Sequence, residues 1–189
     1  MQQYPYASAL FPNAKIIDAG GRSASMLADR VKEHLLQRLP GDDYALSGES
    51  GSHTLLRGNF IFCPAVCFNR ERLGLYGFNE RWRMVPDLEL YLRLLIDGHQ
   101  LAGSKQVGLY YRRHEEQATA KYQATGERFD EEFALYRQFA SAYSAKGWRI
   151  AAKAARRAVI LKLHVLKEAA SRLLRGRFTA AWGLAKYLK

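Results

Sequence analysis

PDLELYLRLLID, residues 86–97, is the stretch that decides the fold of this chain. Its apolar side chains recur at steps of three and four residues, which places them along one face of a helix. Pro86 disfavours helical backbone at the residue before it, so we expect the helix to begin at Asp87. Glu89 and Arg93 are expected to form an ion pair on the opposite face. The apolar stripe consists of Leu88, Tyr91, Leu92, Leu95 and Ile96.

Strands, helices and loops alternate on both sides of this helix. Gly98 is a natural C-terminal stop, Gln100–Tyr111 reads as one or two strands, and 127–145 reads as a further helix. This alternation predicts an α/β fold with mixed strands. The elements expected upstream are a strand at 14–18, a helix at 25–39, a polar loop at 47–54, strands within 55–68 and one helical turn at 70–75.

The last 44 residues carry all of the net charge. Residues 146–189 contain 12 Lys+Arg and one acid, whereas residues 1–145 contain 17 of each sign. Basic and apolar residues alternate there at helical spacing, which predicts two amphipathic helices hinged at Gly176. We therefore divide the chain into a domain at 1–125 and a helical, basic C-terminal extension at 126–189.

This extension favours an anionic membrane surface as a partner. Apolar and Trp positions on one side with Lys and Arg on the other are typical of an interfacial helix. One alternative is a helix packed on the domain with a solvated basic face. Nucleic acid is disfavoured because no nucleic-acid-binding motif accompanies the charge. Without a long apolar run or a secretory signal, we expect a cytoplasmic location, peripheral on the inner face of the plasma membrane if the extension binds lipid.

The two cysteines do not form a metal-binding pattern. Cys63 and Cys67 lack the spacing of a zinc site. In an extended segment they lie too far apart for an unstrained disulfide. We expect buried free thiols.

Asp87 is the residue best placed to do chemistry. A carboxylate at the start of a helix is kept ionised by unpaired amide groups and by the helix dipole. Beside an aromatic loop, such a group suits a general base. The alternative is that Asp87 only caps the helix, which is a common use of Asp.

Five motifs in order connect Asp87 to a known family. They are Gly58-Asn59, a strand after Pro64, Gly77-Phe78-Asn79-Glu80, the helix-opening run at 87–94, and Tyr111-Arg112-Arg113-His114 through Thr119. This order resembles the C-terminal half of family-2 inverting glycosyltransferases of the GT-A fold. The resemblance covers residues 55–120, and it implies a partial GT-A-like domain.

The resemblance implies transfer of a sugar from a nucleotide sugar to a hydroxyl of a glycan or lipid-linked acceptor, with inversion. Asp87 would be the catalytic base. The leaving diphosphate would be bound by Arg112, Arg113 and His114, because guanidinium and imidazole groups bind phosphate oxygens. Alternatively, Arg112 and Arg113 pair with Glu115 and Glu116 on a solvated loop.

Four residues are candidates for contact with the acceptor. The alternatives are a solvated loop for the polar candidates and core packing for the aromatic one. The candidates are Glu49, His53, Asn59 and Trp82.

The chain also departs from the family. Many members of the family have a Glu before the catalytic Asp, where this chain has Pro86. The resemblance implies a divalent metal, Mn²⁺ or Mg²⁺, held by an Asp-x-Asp motif at the end of a nucleotide-binding half. That motif is absent here, and His114 is the one candidate ligand in its place. A second hypothesis is therefore a non-catalytic acceptor-side or membrane-binding module that needs a separate nucleotide-binding half.

Overall fold

The computed structural model describes residues 4–113 and 127–188. The chain forms two compact units, Met1–Gln117 and Ala118–Lys189, called unit 1 and unit 2 below. The boundary predicted between residues 125 and 126 lies outside the described residues and stays a prediction.

Unit 1 has the α/β fold with mixed strands that the sequence predicts. Its sheet has the order β2–β4–β1–β3, with β1 parallel to β4 and the outer strands antiparallel to their neighbours. The elements are β1 (Ala7–Ile17), α1 (Leu27–Gln37), β2 (Asp43–Ser47), α2 (Gly48–Leu56), a 3-10 turn (Cys63–Ala65), β3 (Cys67–Phe68), α3 (Arg70–Leu73), α4 (Pro86–Ile96) and β4 (Gln100–Arg112).

Strand β1 is longer than the strand predicted at 14–18, because it continues through Pro12 and does not begin after it. The register between β1 and β4 shifts between Phe11 and Asn13. Pro12 lies at this shift, where it lacks an amide hydrogen for the ladder. A Cβ on Gly108 would approach the Pro12 ring carbons to 2.6 Å. A bulge and a residue without a side chain therefore accommodate the proline within the strand.

Helix α4 is buried on more sides than the sequence predicts. Leu90 and Leu94, outside the predicted stripe, are almost inaccessible to solvent. Glu89 is 2% exposed, so its ion pair with Arg93 is not on a solvated face. The pairing was predicted correctly, but its burial was not.

Two predictions upstream of α4 are wrong. The polar stretch at 47–54 is not a loop, because Ser47 ends β2 and the following residues lie in α2. Strands do not fill 55–68, since only Cys67–Phe68 pairs with β1. Phe60 and Ile61 are nevertheless buried, so this segment contributes to the core without joining the sheet.

The cysteines are the third correction. Both are free thiols, as predicted, but both are exposed. Cys63 begins the 3-10 turn at Pro64, and Cys67 lies on β3 at one end of the sheet. An edge strand and a turn both leave side chains open to solvent.

Gly103 shows how closely the core of unit 1 is packed. A Cβ at this position would lie 2.5 Å from the Tyr44 ring and 2.6 Å from Phe11. These rings also contact each other edge-on at 6.0 Å. We expect Gly103→Ala to lower the free energy of unfolding by about 2 kcal/mol because the added methyl overpacks the site. Urea denaturation measures the loss. Gly77→Ala, where nothing lies within 4 Å of the added Cβ, is the matched control, and equal stability of the two variants would contradict the prediction.

Unit 2 consists of helices in its described part. They are α5 (Glu127–Ala145), α6 (Arg149–Arg157), α7 (Val159–Leu174) and α8 (Phe178–Trp182), followed by a 3-10 turn (Ala185–Tyr187). Helix α5 confirms the helix predicted at 127–145, and Gly176, at φ 71°, separates α7 from α8 as predicted. The two-helix prediction missed a break at Ala158, where left-handed backbone at φ 45° ends α6. Among the described residues, no helix has the length and apolarity needed to cross a bilayer.

Candidate functional site

Helix α4 begins at Pro86, one residue earlier than predicted, so Asp87 is the second residue of its first turn. Val85 has non-helical backbone angles, and Pro86 is the first helical residue. Proline suits this position because its missing amide hydrogen would have no partner there and its fixed φ fits the helix. Asp87 therefore lies among the unpaired amides of the first turn and is not the cap of the helix.

Two opposing effects act on the Asp87 carboxyl. Burial raises its pKa above the usual Asp range. The backbone amides of Leu88 and of Asp87 itself, the charge of Lys32 and the side chain of Asn59 lower it, but burial outweighs them. The sequence correctly identified the amide groups and missed the larger effect. The result is a carboxylate that binds a proton more readily than an exposed Asp does.

Asn59 holds the carboxylate in place. Its Nδ2 donates to Asp87 Oδ2 at 3.3 Å. Its Oδ1 accepts from the Ile61 backbone amide at 3.1 Å, which fixes the orientation of the side-chain amide. Asn59 is thus a positioning residue for Asp87 in this structure, and its predicted contact with an acceptor stays a prediction.

Unit 1 also has a cleft of about 370 Å³, and neither Asp87 nor Asn59 is among its lining residues. Lys32 of α1 lines the cleft and is also the cation that acts on Asp87. Its Nζ lies 6.0 Å from the centre of the Phe62 ring. Aromatic, basic and acidic side chains share the walls, a mixture suited to a polar ligand with an apolar face. These lining residues include Lys15, Asp29, Lys32, Glu33, Phe60 and Phe62.

Cys63 and Tyr91 lie close to the carboxylate. Although Cys63 as a whole is exposed, partial burial of its thiol and then the Asp87 charge raise the pKa of that thiol. Tyr91 is one turn along α4 from Asp87, and burial and then the Asp87 charge raise the pKa of its hydroxyl. That hydroxyl is fully buried and makes no hydrogen bond of good geometry within the described residues. Both groups remain neutral beside the carboxylate, so they add polarity to the site without adding charge.

The two predicted diphosphate-binding arginines have protein partners. Arg113 forms a bidentate pair with Asp29, with both N···O distances 2.8 Å. Arg112 donates to the backbone carbonyls of Asp18 and Ala19. Neither contact is the pairing with Glu115 and Glu116 considered from sequence. His114 lies outside the described residues, and the role of all three in diphosphate binding stays a prediction.

Among the residues it describes, the structure shows no contact between Asp87 and the other three acceptor candidates. Trp82 is 5% exposed, which fits core packing better than stacking on a sugar. Glu49 and His53 lie one turn apart on α2. Burial and the Arg57 charge lower the pKa of His53, while Glu49 raises it. Their contact with an acceptor stays a prediction.

Sequence reasoning missed Lys32 and Tyr91 as parts of the site. Tyr91 carried a usable signal, since it follows Asp87 by four residues and so lies on the same helix face. Lys32 carried none, because it comes from a helix early in the chain. Among the described residues, no group of three or more His, Cys, Asp or Glu side chains could hold a metal ion. His114, the candidate ligand, lies outside those residues, so the metal that the resemblance implies stays a prediction.

Comparisons with known proteins assign no family to this chain. No family model, no curated protein and no solved structure matches it. The resemblance over residues 55–120 therefore rests on its motifs alone, and a function has to be argued from the site.

Proposed function

We propose that this chain is the acceptor-side part of an inverting glycosyltransferase of GT-A type, with Asp87 as its general base. One observation supports the proposal above the others. A carboxylate with a raised pKa is held by Asn59 and feels the charge of Lys32, a residue that also lines a cleft. A structural helix cap has no need of this combination.

The proposed reaction is a single displacement. The oxygen of an acceptor hydroxyl attacks the anomeric carbon of a nucleotide sugar, and the bond from that carbon to the diphosphate breaks. Asp87 accepts the hydroxyl proton, and the nucleoside diphosphate leaves with the bonding electron pair. A base whose pKa is raised towards the working pH takes the proton more readily than an ordinary Asp.

The neighbours of Asp87 have distinct roles in this proposal. Lys32 and the helix amides lower the pKa of the carboxyl and so oppose the effect of its burial. Asn59 aims Oδ2 and so limits where the acceptor hydroxyl can lie. Phe60 and Phe62 give the cleft an apolar wall on which a sugar face can rest.

A non-catalytic acceptor-side module is the second candidate. The bidentate pair between Arg113 and Asp29 favours it, because that pair already occupies a predicted diphosphate ligand. Calorimetry with nucleoside diphosphates separates the two candidates. Micromolar binding supports an enzyme with its own donor site, whereas absence of binding supports a module that needs a separate nucleotide-binding half.

The proposed enzyme is tested directly by nucleotide release. The chain is incubated with a panel of uridine-, guanosine- and thymidine-diphosphate sugars and hydroxyl acceptors, and free nucleoside diphosphate is measured. Release that depends on the acceptor and on Asp87 supports the proposal. Release that is equal in Asp87→Asn would remove Asp87 from the role of base.

A change at Asn59 should shift the pH dependence of turnover. Asn59 lowers the Asp87 pKa, so Asn59→Ala should raise it further and move the acid limb of the kcat/KM profile to higher pH. Asn79→Ala is the matched control, because Asn79 Oδ1 accepts from the Arg81 amide at 3.1 Å, as Asn59 does from Ile61. An acid limb that moves equally in both variants, or in neither, would contradict the positioning role.

A further inference from the structure

Helix α7 in unit 2 has apolar side chains on two opposite sides. Leu161 and Val165 are buried. Val159, Leu163 and Leu166 are instead about half exposed or more. With about 100° of rotation per residue, the exposed side chains fall within a sector about 100° wide, opposite the buried pair. The solvent-facing sector, called the outer stripe, consists of Val159, Leu163, Leu166, Leu173 and Leu174.

Helix α8 continues this apolar exposure after the turn at Gly176. Phe178 and Trp182 lie one helical turn apart and are 67% and 82% exposed. Helix α8 is fixed to α7 by a hydrogen bond from Arg172 Nη1 to the Ala180 carbonyl at 3.2 Å. Exposed apolar side chains in this number, on two successive helices, are typical of an interaction site. Aromatic side chains at its end are typical of a surface that meets lipid headgroups.

Cations border the outer stripe. By the same rotation, Lys162 and Lys167 fall at its two edges. Arg175 and Arg177 flank the turn between α7 and α8. The acid of this segment, Glu168, lies on the opposite side of α7 in an ion pair with Arg172 at 3.0 Å. The outer stripe is therefore an apolar surface with positive edges and no carboxylate of residues 146–189 facing it.

From these observations we infer that the outer stripe with Phe178 and Trp182 docks on a lipid bilayer that contains anionic phospholipid. The apolar side chains enter the headgroup boundary, and the bordering cations meet lipid phosphates. This inference goes beyond glycosyl transfer and does not rest on it.

Charge and composition disfavour other occupants. A second copy of the chain would bring two segments of 12 Lys+Arg and one acid against each other, and like charges in close contact repel. A nucleic acid would satisfy the cations but would leave five aliphatic side chains against phosphates and sugars. A bilayer with anionic headgroups is the surface that matches both the apolar and the charged parts.

Vesicle flotation of the full chain tests the inference. We expect binding to vesicles of phosphatidylcholine mixed with phosphatidylglycerol and much weaker binding to phosphatidylcholine alone. Leu163→Gln with Leu166→Gln should weaken binding to the mixed vesicles about 100-fold, because two leucines no longer transfer from water into the bilayer. Lys167→Gln should weaken it about fivefold, and added salt should reduce that smaller effect.

The matched control replaces two exposed apolar residues of unit 1. Leu75→Gln with Val31→Gln changes two exposed side chains outside the outer stripe and should leave vesicle binding unchanged. Circular dichroism of each variant establishes that the helices remain folded. Trp182 gives a second readout, because its fluorescence should shift to the blue on vesicle binding and the shift should disappear in Trp182→Phe.

Three results would overturn the inference. The first is that the unaltered chain does not bind vesicles. The second is that the variant with Leu163→Gln and Leu166→Gln binds vesicles as well as the control variant does. The third is that the unaltered chain forms a dimer and that this variant, but not the control, is a monomer. The third would identify a second copy as the occupant. None of these measurements requires turnover, so loss of this inference leaves the proposed sugar transfer standing, and loss of sugar transfer leaves the vesicle result standing.

Discussion

Asp87→Asn should lower kcat/KM for sugar transfer by about 100- to 10,000-fold, the usual contribution of a general base. The amide keeps the shape of the carboxyl and can still meet the Leu88 amide and Asn59, but it cannot accept the hydroxyl proton. Nucleoside diphosphate release with a saturating acceptor measures the loss. Asp42→Asn, at an exposed position, is the matched control and should retain full activity.

The same substitution should make the protein more stable at neutral pH. Burial raises the Asp87 pKa in the folded state, so folding disfavours the charged form. The stability contributed by the neutral carboxyl is complete below the unfolded pKa of about 3.9 and is lost as the pH rises through the folded pKa. Asn stays neutral throughout, so the gain in Tm over the unaltered protein should be present at neutral pH and should close as the pH falls.

A fall in kcat/KM together with a rise in Tm distinguishes a catalytic base from a residue that only stabilises the start of the helix. A carboxylate that serves only as a cap stabilises the protein, so its loss lowers Tm. A carboxylate held in a buried site for chemistry costs stability, and its loss raises Tm while activity falls. A lower Tm at neutral pH together with retained turnover would leave Asp87 as a structural residue only.

The local spacing of apolar residues was sufficient to predict α4. Tertiary packing explains why the same kind of pattern did not predict α2. The stripe of α4 depends on spacing within eleven residues, so the sequence predicts it. Helix α2 has Gly and Ser where helix formers are preferred, and its propensity indicates a loop. Its Gly51 lies against β2, where a Cβ would be 3.1 Å from the Leu46 backbone. Small residues are needed for that close approach, which no local pattern reveals.

In the candidate site, too, local sequence predicts individual residues, whereas their contacts depend on the tertiary fold. Asp87 was predicted from its place beside Pro86 at the start of a helix, and Asn59 from its motif. Their hydrogen bond joins residues on separate segments, and Lys32 arrives from a third. Because the pKa of a carboxyl depends on burial by all of these segments, neither its direction nor the role of Lys32 follows from one stretch of sequence.

Breaking the ion pair between Glu89 and Arg93 should be among the most destabilising single changes in unit 1. Glu89 is 2% exposed. Arg93 contacts both of its carboxylate oxygens, at 2.9 and 3.1 Å. Arg93 also donates to the Gly77 carbonyl at 2.7 Å and lies over the Tyr76 ring at 5.3 Å. One guanidinium thus joins α4 to the loop before it, and its removal would leave a buried charge without a partner.

Arg93→Met should therefore lower the free energy of unfolding by about 3 kcal/mol, the low end for a broken buried pair because the Arg93 side chain is partly solvated. Urea denaturation measures it. Arg22→Met is the matched control, since its pair with Asp18 spans 3.4 Å with the arginine 86% exposed, and the expected loss there is below about 1 kcal/mol. The double change Glu89→Leu with Arg93→Met removes both charges and should recover most of the loss. If Arg93→Met costs no more than Arg22→Met, the pair is solvated in solution and the burial of Glu89 does not hold.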